Sequence, residues 1–361
     1  MAVKVTMQDI ADALGLSRNT VSKAINNTGV IADNTKDLIL KKAAEMGYRN
    51  LSVQEISGSQ SQISSADNPA LSGRREIAML TCSMPGGSHF AVTMLDRMQQ
   101  IFSSNGYSLA FYRVTPKELE QLSLPGSLTL DKVAAIFCME LFHYDYCKML
   151  IDLGIPLLMI DSPLCMDKEP LPADILMMEN TLGIHAFVRK MAQEGKKTIG
   201  FIGDMFHCRS FFERGSACMT AAALNGFLPA DQYSISDFPP GKSSITFPNY
   251  SYESELLYET LQKLPELPEV FICANDFIAI NIIACLRRMN LRCPDDILVM
   301  GFDDSPEARY HTPTLSTVHI HTQAMGDLAA EIILSRISNP EREPRITYSI
   351  TDLILRESTS E

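Results

Sequence analysis

From Arg74 onward, short apolar runs alternate with amphipathic stretches of helical period, and this alternation limits the folds open to the chain. Ile77–Thr81, Tyr107–Tyr112, Ala134–Cys138, Pro156–Ile160, Thr198–Ile202, Val270–Cys273 and Ile297–Gly301 read as short buried strands. Helix-like segments such as Val92–Asn105 separate them. Strands that are apolar on both faces and alternate with helices build parallel βαβ units. About eight such strands exceed one usual open sheet, so the pattern predicts two lobes. A chain of 361 residues has room for those lobes and one further small domain.

That further domain stands at the N-terminus and differs in charge. The whole chain carries a net charge of −12, which taken alone argues against nucleic acid as a partner. Residues 1–50 hold seven basic side chains (Lys4, Arg18, Lys23, Lys36, Lys41, Lys42, Arg49) and five acidic ones (Asp9, Asp12, Asp33, Asp37, Glu45). This segment is therefore +2 and the remainder −14. Such asymmetry points to a specialised segment.

Within it, Ile10, Ala13 and Leu14 are expected on one helical face, and Gly15 can end that helix in the left-handed conformation. Ser17 can cap a second helix, which buries Val21 and Ile25 and exposes Arg18, Asn19, Ser22 and Lys23. Two short helices joined by a glycine turn form a helix-turn-helix. Arg and Lys can pair with guanine O6 and N7, and Asn with adenine N6 and N7. Thr6, Ser17 and Thr20 suit phosphate contacts. The plainer alternative is a helical hairpin whose polar face is simply solvated.

The segment from Val5 to Asn26 resembles the lactose-repressor (LacI/GalR) family at almost every position. That family opens with Val-Thr, Asp-Val-Ala, Gly-Val-Ser and Thr-Val-Ser-Arg followed by Asn. By position, Arg18, Asn19 and Lys23 stand where the family's base-reading residues stand, with Ser22 and Asn26 completing the expected contact set. A third helix is expected over 34–46, before Gly47-Tyr48. Ala32 replaces a usual Ser. The hinge departs further: the family's Tyr-x-Pro-Asn is followed by a helix whose Leu wedges into the minor groove. Here Tyr48-Arg49-Asn50-Leu51 lacks the Pro. With a one-residue deletion Ile56 takes the wedge position; without it the position is Ser57 and there is no wedge. Residues 57–73, rich in Ser and Gln, read as a flexible tether.

The resemblance continues through Gly154-Ile155-Pro156 to Asp161, Lys197 to Gly203, Ala274-Asn275-Asp276, Pro294 to Ile297, Gly301-Phe302-Asp303-Asp304, Thr312 to Val318 and Leu355-Arg356-Glu357. It implies a periplasmic-binding-protein-like core of two doubly wound α/β lobes with a ligand cleft between them. Three segments follow: a head at 1–56, the tether at 57–73 and a core at 74–361. Lobe 1 is expected over 74–161 and 322–344, lobe 2 over 164–319 and 346–358. In such folds ligands sit at the carboxyl ends of strands. The resemblance places His89, Phe90, Asp161, Arg214, Asn275 and Asp303 at the cleft, with Arg209 competing for the role of Arg214. Asp161 has the alternative of a purely crossover role. Asp276 and Asp304 have equal claim as ligand contacts and as helix caps or turn formers.

The resemblance implies a cytoplasmic, homodimeric repressor that binds double-stranded operator DNA under control of a small effector. Sugars are the usual effectors, and nucleosides a less common class. An alternative is a core that answers to a partner protein or has lost its effector. A solute receptor would require a signal peptide and no head, and no such leader is apparent. No nucleophile elbow, Walker loop or HExxH motif suggests an enzyme. No metal, cofactor or membrane is expected: no apolar run approaches the ~20 residues a spanning helix needs. The nine cysteines form no C-x-x-C pair and read as free, mostly buried thiols.

Overall fold

The computed structural model describes residues 6–25, 35, 38, 39, 42, 46, 73–82, 89–228, 234 and 250–359. The chain divides into two compact units, Met1–Ile63 and Ser64–Glu361. In the first, α1 spans Met7–Leu14 and α2 Arg18–Ile25. Gly15 closes α1 at φ +65°, as its lack of a Cβ predicts. Ile10, Ala11, Val21 and Ile39 form a small core, with Met7, Leu14, Leu16 and Met46 packed around it. The expected face shifts by one position here: Ala13 is exposed and Ala11 buried. At 100° per residue, Leu14 lies between Ile10 and Ala11, and Ala13 falls about 160° away from Ala11 on the other side of Ile10. Residues 35, 38, 39 and 42 are helical, and the remainder of the expected third helix, the hinge and the tether fall outside the described residues.

The second unit holds the two lobes. Its first sheet contains β1 (Glu76–Thr81), β2 (Ser108–Arg113), β3 (Val133–Met139), β4 (Leu157–Ile160), β5 (Asp174–Met178) and β10 (Ile346–Ser349). All pairings are parallel and the order is β10-β5-β4-β3-β1-β2. Side chains of β1 alternate between two apolar layers: Ile77 and Met79 join one, Ala78 and Leu80 the other. This is why the strands are apolar throughout. Helices α3 (His89–Ser104) and α11 (Thr322–Ser338) pack together on one face. A Cβ on Gly326 would lie 2.8 Å from the Met94 carbonyl oxygen, so glycine sets that close approach. Between β2 and β4 stand α4 (Pro116–Gln121) and α5 (Tyr144–Asp152).

The second lobe contains α6 (Leu182–Gln193), β6 (Ile199–Ile202), α7 (Arg209–Leu224), α8 (Tyr250–Leu261), β7 (Val270–Cys273), α9 (Asp276–Arg288), β8 (Leu298–Met300), α10 (Pro306–Tyr310), β9 (Thr317–Ile320) and β11 (Thr351–Ile354). Strands β6-β7-β8 form a parallel sheet, and bridges at Met300–Ser316 and Asp303–His319 carry it on to the antiparallel pair β9-β11.

The lobe boundaries differ from those expected. Residues 174–178 and 346–349 belong to the first sheet, because β5 pairs with β4 and β10 with β5. The Pro-rich segment 162–173 is a loop returning the chain to that sheet. The chain therefore crosses between lobes around 179–181, at His321 and at Ile350.

Candidate functional site

α1 and α2 are each opened by a hydroxyl cap. The Thr6 hydroxyl accepts from the Asp9 amide, while Asp9 Oδ2 accepts from the Thr6 amide and hydroxyl, each at 2.7 Å. These bonds hold the Asp9 carboxyl below the usual range. Ser17 Oγ accepts from the Thr20 amide at 3.0 Å and lies 2.8 Å from the Thr20 hydroxyl. Thr6, Ser17 and Thr20 thus hold the turn together as well as facing solvent. Val21 is buried and Ser22 half-buried, whereas Arg18, Asn19 and Lys23 are exposed along one side of α2. Asn26 and Ile56 fall outside the described residues.

In the core, the carboxyl ends of the parallel strands carry a cluster of backbone outliers. Glu140 after β3, Asp161 after β4 and Asp303 and Asp304 after β8 have φ values of +50°, +61°, +114° and +54°. Such conformations cost of order 1–3 kcal/mol each and gather where side chains are aimed for function.

Arg214 is the centre of this region. It projects from α7, is only 3% exposed, and lies over the Phe302 ring at 3.5 Å from the centroid. Its Nε donates to Asn180 Oδ1 at 2.9 Å, one Nη donates to the Ala274 carbonyl at 2.6 Å, and Asp303 Oδ1 stands 3.6 Å away. Burial pushes the Asp303 carboxyl up to about 6, the Arg214 charge pulling it down and Glu140 raising it. Asn275 caps α9, its Oδ1 accepting from the Ile278 amide at 2.9 Å. Asp161 Oδ1 accepts from the Ser162 and Ser210 amides at 2.7 and 3.2 Å. Burial raises its carboxyl against the pull of these bonds and of Arg214.

Four of the six expected cleft residues therefore gather: Asp161, Arg214, Asn275 and Asp303. The side chains of His89 and Phe90 fall outside the described residues. Arg209 points elsewhere, to Glu213 at 2.8 Å and the Tyr348 hydroxyl at 2.9 Å.

The two neighbouring aspartates hold the scaffold. Asp276 is fully buried and accepts from the Ser305 amide at 2.7 Å and the Thr317 hydroxyl at 2.6 Å. Burial, reinforced by Asp303, pushes its carboxyl up to about 8. Gly301 must lack a Cβ because one would strike the Asp276 carboxylate. Asp304 pairs with Arg309 and Arg356, both at 2.6 Å, and with His319 at 2.9 Å. Burial would raise its carboxyl, but the two arginines outweigh that and hold it low.

An aromatic group was not anticipated from sequence. His207 contacts Phe142 edge-on at 5.1 Å and Phe211 at 5.3 Å, so residues following β3 and β6 meet across the lobes. Burial lowers the His207 pKa below the ordinary imidazole value, against the pull of Asp204 and Asp161. Their position directly after strand ends was the available signal. Among the described residues, no group of three His, Cys, Asp or Glu side chains could hold a metal, and no helix is long and apolar enough to cross a membrane.

A helix-turn-helix unit followed by a two-lobed core with polar groups at its strand ends defines a DNA-binding transcriptional regulator. Residues 6–50 match the model of bacterial regulatory proteins of the lacI family, and residues 188–359 match the periplasmic binding protein-like domain. The chain is 26% identical over 360 residues to the "Probable HTH-type transcriptional repressor ExuR" of Bacillus subtilis, covering 98% of both. It is 27% identical to the "HTH-type transcriptional regulator GalR" of Lacticaseibacillus casei, covering 98% of this chain and 99% of that one. Among solved structures, the transcriptional regulator CelR–cellobiose complex aligns with a TM-score of 0.67 at 21% identity, over 98% of this chain and 100% of that chain. The Lac repressor dimer bound to operator and the anti-inducer ONPF aligns with a TM-score of 0.62 at 18% identity, over 99% of each chain. The chain belongs to the LacI family of transcriptional regulators.

Proposed function

We propose that this regulator is a repressor that binds a pseudo-palindromic operator as a homodimer, and that a neutral polyhydroxylated molecule of the sugar class in the cleft sets its operator affinity. The Arg214–Asp303 pair carries the effector reading. Asp303 accepts from hydroxyls, Arg214 donates to them, and Asn275 can do both. Because Asp303 already balances Arg214, and Glu140 and Asp161 add negative charge, an anionic effector would find no unmatched cation among the described residues of the cleft. The Phe142–His207–Phe211 group supplies apolar faces suited to sugar C–H surfaces.

On the DNA side, Arg18, Asn19 and Lys23 read bases in the major groove, with Thr6, Ser17 and Thr20 at the phosphates, Ser22 and Asn26 completing the contact set and Ile56 as the hinge wedge. Two such helices enter successive major grooves about 34 Å apart. The head is only mildly basic, so affinity rests on dimerisation and directed contacts more than on bulk attraction. Such a protein works in the cytoplasm. An effector acts only through its differential affinity for the two lobe arrangements.

Selection from a random duplex library with the full chain tests the reading. A pseudo-palindrome should emerge, and Arg18→Ala should lose about 1–3 kcal/mol of affinity while relaxing one base position in each half-site. Unchanged affinity and specificity in Arg18→Ala would remove the base-reading assignment.

A further inference from the structure

Outside the cleft, the core contains a cavity that none of His89, Phe90, Asp161, Arg214, Asn275 and Asp303 lines, though Arg209, the competing candidate, does. It has a volume of about 480 Å³ and opens on the flank of the two lobes, within the range that holds a drug-sized molecule. One wall comes from the first lobe: the loop of residues 162–171, the start of β5 and the start of β10. The other comes from the second lobe, as Arg209, Phe212 and Glu213 on the first turns of α7.

Leu164, Leu171, Ile175 and Phe212 make the lining largely apolar, and Met166 and Ile346 at the mouth are 66% and 48% exposed. Two arginines stand at the rim. Arg209 is shared with Glu213 and Tyr348. The guanidinium of Arg345 has no hydrogen-bond or ion-pair partner among the described residues; the residue is held by its backbone, whose amide donates to Asp174 and whose carbonyl accepts from the Ile175 amide. With Glu213 the rim is net +1, opposite in sign to a core (residues 74–361) that carries −12.

We propose that this cavity is a second ligand site, for a small amphipathic anion whose apolar body fills the pocket and whose carboxylate or sulfonate meets Arg345. The charge of the rim selects the anion and the lining selects the body. This separates it from the cleft, where Arg214 is already matched by Asp303.

The cavity and the cleft share supports. Arg209 N donates to the Ser162 carbonyl at 3.0 Å, and Ser162 N and Ser210 N both donate to Asp161. Glu213 on the cavity side is followed directly by Arg214 on the cleft side. A molecule clamped between β10 and α7 therefore favours one arrangement of the lobes, which gives this site a means of modulating the effector response.

The test uses the full chain and the fluorescent probe 1-anilinonaphthalene-8-sulfonate, an aromatic body with one sulfonate. The wild type should bind one probe per chain saturably. Arg345→Glu, at an exposed position, should weaken binding about tenfold, the loss expected for one charge-assisted bond. Cys165→Trp, which fills the half-buried lining, should abolish binding. Asp303→Asn should leave it unchanged, and uncharged N-phenyl-1-naphthylamine should be indifferent to Arg345→Glu. Wild-type binding of the sulfonate by Arg345→Glu overturns the proposal, as does loss of binding in Asp303→Asn, which would place the probe in the cleft. If Cys165→Trp does not fold, Arg345→Glu and Asp303→Asn decide the matter.

Discussion

Replacing Arg214 by Met removes the guanidinium while keeping a long apolar side chain over Phe302. Three polar partners then lose their donor: Asn180 Oδ1, the Ala274 carbonyl and, at 3.6 Å, Asp303. Removing one partner of a buried pair costs about 3–5 kcal/mol, because the other charge stays behind uncompensated. For a domain of this size, each kcal/mol lowers Tm by about 2–4 °C, so calorimetry should show a fall of roughly 6–20 °C. The cost should also depend on pH. Arg214 holds the Asp303 carboxyl down toward about 6, so without it the carboxyl rises further and keeps its proton when folded. A raised folded pKa means the unfolded chain binds fewer protons, so stability falls as pH rises from the ordinary carboxylate range through the folded value. The variant should therefore lie closest to wild type near pH 5 and furthest from it near pH 8. Adding Asp303→Asn should restore part of the loss at pH 8. A Tm within about 2 °C of wild type at both pH values would refute the reasoning, since the pair would then contribute nothing.

Other outcomes follow from the same geometry. Asp304, held low by Arg309 and Arg356, stabilises the fold above the ordinary carboxylate range and loses this as pH falls through its own lower value. Asp304→Asn should cost about 3 kcal/mol at pH 7 in urea titrations, and the gap should narrow between about pH 5 and pH 3. Asp276 behaves oppositely, its carboxyl raised to about 8: wild-type stability should decline as pH rises toward 8, and Asp276→Asn should flatten that decline. Parallel curves for the two proteins would contradict the assignment. Gly326→Leu should lower Tm by several degrees, because its Cβ would meet the Met94 carbonyl and Arg97; an unchanged Tm would show that α3 and α11 can separate without cost.

Local chemistry made the head readable. The Thr6–Asp9 cap, Gly15 and Ser17 mark helix ends directly; among the described residues Ala13 is exposed where it was expected on the buried face, and Ser22 is half-buried where it was expected exposed. In the core, strands with apolar runs were legible, while β5 was missed. Asp174-Ile175-Leu176-Met177-Met178 is short and has a single β-branched residue, a weak strand signal next to the Gly154–Asp161 run. Strand β10 carries exposed Ile346 and Tyr348 at a sheet edge and so lacks a buried run. The positive φ angles of Glu140, Asp161, Asp303 and Asp304 have no sequence signature, since these residues also occur in ordinary turns. Nor does spacing reveal Phe142 meeting His207 and Phe211, because loops following two different strands bring them together.

Coupling between effector and operator tests the central claim most directly. A thermal-shift screen of neutral sugars, sugar acids, sugar phosphates and nucleosides on the full chain should identify a neutral sugar as the stabilising ligand. Fluorescence anisotropy on the selected operator then measures operator Kd with and without that sugar, and calorimetry measures sugar Kd with and without operator. The two ratios should agree and lie between about 5- and 150-fold, because linkage is reciprocal. An operator Kd unchanged by a sugar that saturates the cleft would contradict control of DNA binding through this site.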